Sequence, residues 1–186
     1  YISVATVRPE TIMGDVAICV HPDDERYKHL VGKKCIVPLV NREVPIITDT
    51  YIDPTFGTGA LKVTPAHDIN DYTIGLKHNL PIIDVLNEDG TISETAQVFV
   101  GMDRFKARKM AAKQLEEEGL IYKTEEIKNS IGTSERTGAV VEPRLSMQWF
   151  LKMDTISKPA LEHVLDGTIK FHPDKFVNMY RHWMEN

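Results

Sequence analysis

The fold of the chain is decided by the stretch Gly57–Tyr72, which reads GTGALKVTPAHDINDY. Its two glycines let the backbone turn tightly, and residues 60–64 alternate as a strand does. Pro65 ends this strand because proline has no N–H group for a ladder. Asp68 is a typical helix N-cap, and Asp71 follows three residues later. The stretch therefore predicts a turn, a strand and the start of a helix in direct succession.

Five polar side chains are concentrated in this stretch. Lys62 and Thr64 share one strand face, while His67, Asp68 and Asp71 surround the free N–H groups of a helix start, which favour negative charge. Each residue has an ordinary explanation when taken alone: a strand lysine is commonly solvated, a loop histidine is rarely a catalyst, and an acid at a helix start caps it. Their concentration behind a Gly-x-Gly turn indicates a functional site.

A second polar stretch, Thr6–Thr11 (TVRPET), lies near the N-terminus. Residues 1–7 are rich in β-branched side chains and predict a strand that Pro9 ends. The polar groups therefore lie on the loop after that strand. Hydroxyls and charges of both signs again occur together, on Thr6, Arg8, Glu10 and Thr11.

Together the two stretches resemble the editing domain inserted in the class I valyl-, isoleucyl- and leucyl-tRNA synthetases. TVRPET is similar to the threonine-rich motif of that domain, and GTGxxKVTPAHDxxDY is similar to its second motif in the valyl form. The resemblance covers nearly the whole chain. Three later segments look like those by which the valyl enzyme returns towards the synthetase body: EPR at 142–144, QWF at 148–150 and HWMEN at 182–186.

The resemblance implies an aminoacyl-tRNA deacylase that preserves translational fidelity. A valine-binding pocket rejects threonine poorly, because threonine is an isostere carrying a hydroxyl, so a second site must hydrolyse the wrong product. The implied substrate is threonine esterified to the 3′ end of tRNA(Val), and the implied protein partner is the remainder of the synthetase. HIGH and KMSKS signatures are absent from the chain, so we expect no amino-acid activation here. No cofactor is expected either, since ATP and Mg²⁺ would serve only the full-length synthetase.

The resemblance also assigns roles to the polar residues. Asp71 is implied to bind the α-ammonium group of the substrate, which orients the carbonyl for attack. Lys62, Thr64 and Asp68 are candidates for reading the threonine hydroxyl and ordering water, and with Asp71 they form the expected catalytic set. The expected substrate-binding residues, which would hold the terminal adenosine and the ester, are Thr6, Arg8, Glu10, Thr11 and His67.

Composition excludes several other classes. Apolar residues make up 42% of the chain and charged residues 26%, and no apolar run approaches the roughly 18 residues of a membrane span. The net charge of −5 argues against unspecific nucleic-acid binding. Cys19 and Cys35 lack metal-site spacing, so we expect no bound metal and reduced thiols. With no secretory signal, we expect a cytoplasmic monomer, and Tyr1 at the first position suggests a piece of a longer chain.

The remaining patterns predict an α+β fold whose sheet is a mostly antiparallel β-barrel with peripheral helices. Residues 34–39 and 43–47 predict a hairpin, and helices are predicted at 69–78, 104–118 and 155–165. Further strands are predicted at 15–20, 82–86, 121–127, 139–142 and 168–171. We expect an editing domain at 1–145 and a returning segment at 146–186, packed on that domain.

Three alternatives remain open at this point. The chain could be an isoleucyl or leucyl editing domain, although the Lys62-Val63-Thr64 run favours the valyl form. It could instead be a metal-dependent hydrolase with His67, Asp68 and Asp71 as ligands. A third reading is a barrel that only binds RNA ends; the basic residues of the 104–118 helix are either a contact for RNA or a solvated face.

Overall fold

The strands form one four-stranded sheet of mixed direction in the computed structural model, which describes residues 1–186. The strand order is β2-β3-β1-β4. The central strand β1 pairs in parallel with β3 and antiparallel with β4, while β2 and β3 form an antiparallel hairpin. The strands are β1 (Ala17–Val20), β2 (Lys34–Val37), β3 (Arg42–Thr48) and β4 (Ala60–Val63).

The predicted barrel is wrong, because the sheet is open, with β2 and β4 at its two edges. The predicted α+β class and hairpin are correct. The extra strands that would have closed the barrel form no ladders, and the later segments make only isolated bridges such as Leu86–Ile92 and Thr133–Val140. β-Branched content favours extended backbone, but a strand also needs a partner in register.

The helices are α1 (Ile69–Lys77), α2 (Arg104–Glu117), α3 (Met153–Leu165) and α4 (Phe176–Glu185). The predicted starts of α1 and α2 are confirmed. Asp68 caps α1 by accepting hydrogen bonds from the N–H groups of Asn70 and Asp71, and Asp103 caps α2 in the same way. A short 3₁₀ helix, Pro9–Gly14, packs against α2, which turns Ala107, Ala111 and Leu115 inward.

The core lies on both faces of β1, whose four residues are all buried. Ile18 and Val20 pack with Ile46 of β3 on one face. On the other face, Ala17 and Cys19 pack with Val63 of β4 and Ile74 of α1. Because α1 begins directly behind β4, this packing fixes the position of the junction between them.

The chain divides into two compact units, residues 1–145 and 146–186. The first contains the sheet, α1 and α2. The second contains α3 and α4, which contact each other, and an aromatic pair, Phe171 and Tyr180, whose ring centroids are 5.1 Å apart. The expected packing of the returning segment on the editing domain stays a prediction. None of the helices has both the length and the apolar character needed to cross a membrane.

Candidate functional site

The junction of β4 and α1 borders a cleft of about 250 Å³ in the first unit. The loop before the 3₁₀ helix forms the opposite wall. Eight of the nine site residues predicted from the sequence line this cleft: Thr6, Arg8, Thr11, Lys62, Thr64, His67, Asp68 and Asp71. Two polar stretches about fifty residues apart in sequence are therefore brought together by the fold.

A buried polar triad of Lys62, Thr64 and Asp15 stands at one wall of the cleft, and its first two members line that wall. The Lys62 Nζ atom donates to the Thr64 hydroxyl at 2.7 Å and to Asp15 Oδ1 at 3.1 Å. The Thr64 hydroxyl in turn donates to the same Asp15 oxygen at 2.6 Å. The pKa of Asp15 is raised above its ordinary value by burial, and the Lys62 charge and the Thr64 hydrogen bond offset only part of this rise.

The sequence reasoning missed Asp15. An aspartate just before a strand is usually a turn residue, so its type alone gave no signal. The useful signal would have been the pairing of β1 with β4, in which Ile18 lies opposite Lys62. That register carries the start of β1 alongside the polar end of β4, but it is a long-range feature of the sheet.

The two acids of the helix start have different surroundings. Asp71 is only 5% exposed, and its Oδ2 atom accepts the Thr64 N–H at 2.8 Å. Burial raises the pKa of Asp71 to about 6, with a smaller contribution from the nearby Asp68 charge. Asp68 is exposed, and both of its capping hydrogen bonds use Oδ1, which leaves Oδ2 free.

His67 is a buried, neutral side chain at the back of the cleft. Burial lowers its pKa to about 4, and its Nε2 atom accepts the N–H of Val85 at 3.0 Å. Its Nδ1 atom makes no hydrogen bond of normal geometry, although the Pro143 backbone lies close enough to act on its pKa.

The three residues of the metal-site alternative, His67, Asp68 and Asp71, thus have three separate sets of partners: the Val85 N–H, the cap of α1 and the Thr64 N–H. No group of three or more His, Cys, Asp or Glu side chains in residues 1–186 is arranged to hold a metal ion.

The loop Thr6–Thr11 supplies a cation to the cleft but not the predicted anion. The Arg8 Nη1 atom donates to the His67 carbonyl at 3.0 Å, and its guanidinium also pairs with Glu142. Glu10, in contrast, is fully buried and does not line the cleft. Arg108 of α2 binds both of its oxygens, at 2.9 and 2.6 Å. The structure therefore places Glu10 behind the loop rather than in the site.

Ion pairs reduce the positive charge that α2 offers to a ligand. The basic strip of this helix consists of Arg104, Lys106, Arg108, Lys109 and Lys113. Arg108 binds Glu10, and Arg104 binds Glu142 at 2.9 Å. Lys113 also lies 3.6 Å from Glu117 of the same helix, so three of the five basic residues of the strip face carboxylates of the same unit.

The fold and the site together define a class of protein. The chain belongs to the family described as the leucyl-tRNA synthetase editing domain, whose family model matches residues 21–131. A solved structure, described as the crystal structure of GlLeuRS-CP1, shares the fold with a TM-score of 0.51 at 12% identity. That likeness covers 69% of this chain and 83% of the solved one. The resemblance to synthetase editing domains is thus confirmed.

Within this class, several curated relatives are valine--tRNA ligases. The chain is 60% identical over 186 residues to the enzyme of Bacteroides fragilis and 59% identical to that of Parabacteroides distasonis. It is 55% identical over 187 residues to that of Anoxybacillus flavithermus. Each match covers 100% of this chain and 21% of the relative, so the chain spans about a fifth of their length.

Proposed function

We propose that the chain is an editing deacylase that hydrolyses threonine from mischarged tRNA(Val). The observation that carries this proposal is the buried contact of Lys62 with Thr64, 2.7 Å long, in the wall of a cleft that also contains Asp71. This arrangement offers polar groups for a side-chain hydroxyl and a carboxylate for an amino group. The whole-chain similarity to valine--tRNA ligases supports this choice of substrate.

An aminoacyl ester is already activated, so orientation and electrostatic stabilisation are the main requirements. Asp71 binds the α-ammonium group as a carboxylate, in a site where burial strengthens the charge pair. Asp68 keeps Oδ2 free while Oδ1 caps the helix, so this oxygen can accept a hydrogen bond from the attacking water. No nucleophilic triad is needed for this reaction.

Lys62 and Thr64 recognise the side chain of the substrate. A threonine hydroxyl can accept from the Lys62 ammonium and donate to the Thr64 oxygen. Valine has a methyl group at that position and would leave one Lys62 donor and one Thr64 acceptor position unfilled, at a cost of roughly 1–3 kcal/mol for each.

The opposite wall holds the terminal adenosine and the ester. Arg8 supplies positive charge there, and the hydroxyls of Thr6 and Thr11 both contact the Arg8 backbone, at 3.1 and 3.0 Å. These two threonines thus shape the loop as well as facing the ligand. His67 joins this wall through its carbonyl, which Arg8 binds. Glu10 acts from behind by supporting Arg8, whose Nε atom lies 3.6 Å from it.

The wider setting follows from the same proposal. The 3′ end of tRNA(Val) and the remainder of a synthetase are the partners, and the domain acts as a monomer in the cytoplasm. Hydrolysis requires no metal or cofactor in this chain, and ATP and Mg²⁺ belong to the aminoacylation site of the full-length enzyme.

The direct experiment incubates the chain with threonyl-tRNA(Val) and measures released threonine, with valyl-tRNA(Val) and valyl-tRNA(Ile) as comparison substrates. We expect rapid release of threonine and little release of valine from its own tRNA. Preferred release of valine would instead indicate an isoleucyl-type domain. Binding of tRNA without release of any amino acid would leave only an RNA-binding role.

A further inference from the structure

Asp15 is a buried carboxylate that lies behind the cleft wall and is not among the residues that contact the substrate in the proposed function. It is 3% exposed and does not line the cleft. We propose that Asp15 is a positioning residue that fixes the direction of the hydrogen bonds made by Lys62 and Thr64, so that the cleft selects a side-chain hydroxyl. This inference rests on the proposed deacylase function and deepens it.

The three groups of the triad differ in their hydrogen-bonding capacity. An ammonium group only donates, an ionised carboxylate only accepts, and a hydroxyl has one proton and two acceptor positions. In this triad the Thr64 proton must therefore point to Asp15, at 2.6 Å, because Lys62 cannot accept it. The Thr64 oxygen then accepts from Lys62 at 2.7 Å.

This arrangement leaves one donor and one acceptor position that the substrate can use. Lys62 has three N–H donors and spends two on Asp15 and Thr64, so one is free. Thr64 keeps one acceptor position. The wall thus presents one donor next to one acceptor, which is the complement of a single hydroxyl group. Without Asp15, the Thr64 proton could turn towards the cleft and the Lys62 N–H that bound Asp15 would lose its partner, so the wall would present a hydroxyl donor beside the Lys62 donors.

The backbone around Asp15 holds its carboxylate against Lys62 and Thr64. Arg42 of β3 donates from Nη2 to the carbonyls of Met13 and Asp15, both at 2.7 Å. The preceding residue is Gly14, where an added Cβ would lie 2.9 Å from the Ile83 carbonyl and 3.1 Å from Cγ2 of Thr64. Only a residue without a side chain fits this close approach of the Asp15 segment to Thr64.

The test compares two substitutions of Asp15. Both hydrogen bonds of the carboxylate end on Oδ1, so Asp15→Asn can keep the accepting oxygen, whereas Asp15→Ala removes it. The ratio of threonine release to valine release is measured for each from threonyl- and valyl-tRNA(Val). We expect Asp15→Ala to lower this ratio roughly ten- to hundredfold, as for an unpaired buried group, and Asp15→Asn to stay close to the parent.

Asp24→Ala is the matched control, because Asp24 is also a buried carboxylate, 7% exposed, but pairs with Arg26 outside the cleft. A purely structural contribution would slow both substrates alike and leave the ratio unchanged, as expected for Asp24→Ala. A folded Asp15→Ala variant with the ratio of the parent would overturn the inference. If Asp15→Ala does not fold, NMR of the parent decides: a slowly exchanging Thr64 hydroxyl proton supports the triad, and rapid exchange contradicts it.

Failure of the proposed function can be told apart from failure of this inference. The threonyl and valyl amides of 3′-amino-adenosine cannot be hydrolysed, and their dissociation constants measure selectivity without catalysis. If the parent releases no threonine but Asp15→Ala still reduces the preference for the threonyl amide, only the deacylase proposal fails. If the parent deacylates and neither ratio responds to Asp15→Ala, only the role of Asp15 fails.

Discussion

At the scale of single residues, Asp71 combines burial with a task that requires charge. Burial raises its pKa to about 6, while the proposed binding of an ammonium group needs the carboxylate. Protonation of Asp71 near this pH would therefore remove the proposed contact with the substrate ammonium group.

We predict that kcat/KM for threonine release rises with pH through a value near 6, the pKa of Asp71 in the free protein. Asp71→Asn should remove this dependence and most of the activity, because an amide cannot neutralise the ammonium group. Rates are measured from pH 5 to pH 7.5 after subtraction of protein-free ester hydrolysis. A profile that is flat in the parent, or retained in the variant, would assign the titration to another group.

The raised pKa of Asp71 also makes the stability of the fold depend on pH. Because the folded-state pKa of Asp71, about 6, is raised above the ordinary 3.8, the folded state favours the protonated form. This contribution is fully present below pH 3.8 and is lost as pH rises through about 6. As pH rises through this window, the free energy of unfolding of Asp71→Asn should therefore increase relative to that of the parent, by up to about 3 kcal/mol. Denaturant unfolding of both proteins at several pH values measures this difference.

Lys62→Met is predicted to affect specificity and stability together. The loss of the ammonium donor should slow threonine release and shrink its advantage over valine release about tenfold or more. It should also destabilise the fold by about 3 kcal/mol, because the Asp15 carboxylate stays buried without its cation. Adding Asp15→Asn should restore part of this stability without restoring specificity. A double variant no more stable than Lys62→Met would show that the ion pair does not couple the two residues.

At the scale of elements, α2 supports the site from behind the loop. Its Arg108 binds the buried Glu10 of the 3₁₀ helix Pro9–Gly14, and its Arg104 binds Glu142, which also pairs with Arg8. The helix therefore reaches the cleft through carboxylates rather than by direct contact with a ligand.

We predict that Arg108→Met lowers the free energy of unfolding by about 2 kcal/mol, because it removes both hydrogen bonds of the buried Glu10 carboxylate and leaves only Arg8, 3.6 Å away, as a cation. KM for the tRNA should rise as the loop carrying Arg8 loosens. Lys109→Met is the matched control, since Lys109 is an exposed neighbour in α2 and forms no ion pair. Equal effects of the two substitutions would mean that α2 acts through its overall charge, as an RNA contact would.

At the scale of the whole molecule, we predict that deacylation is independent of metal ions. The cleft positions its polar groups through contacts within the protein, and its acids and histidine bind backbone N–H groups. Activity measured in excess EDTA should equal that without chelator. Loss of activity that Zn²⁺ or Mg²⁺ restores would favour the metal-dependent hydrolase that the sequence left open.

The local features of this protein follow from short-range patterns in its sequence. The turn, strand and capped helix of Gly57–Tyr72 form where they were predicted, because a strand end, a proline and an N-cap act within a few residues of each other. The same short range explains why Lys62 and Thr64 could be assigned to one face. Each polar stretch could be recognised for this reason and because its motif resembles that of a known family, whereas the meeting of the two stretches in one cleft depends on the fold.

Closure of the sheet and the identity of the residues behind the cleft depend instead on long-range packing. Residues 121–127 form no strand and residues 82–86 contribute only the single bridge Leu86–Ile92, so the sheet stays open at β2 and β4. Glu10 is withdrawn from the cleft by Arg108, 98 residues away in sequence, and Asp15 meets Thr64 across 49 residues. Such pairs depend on strand register and helix packing, which act over distances that local sequence patterns do not encode.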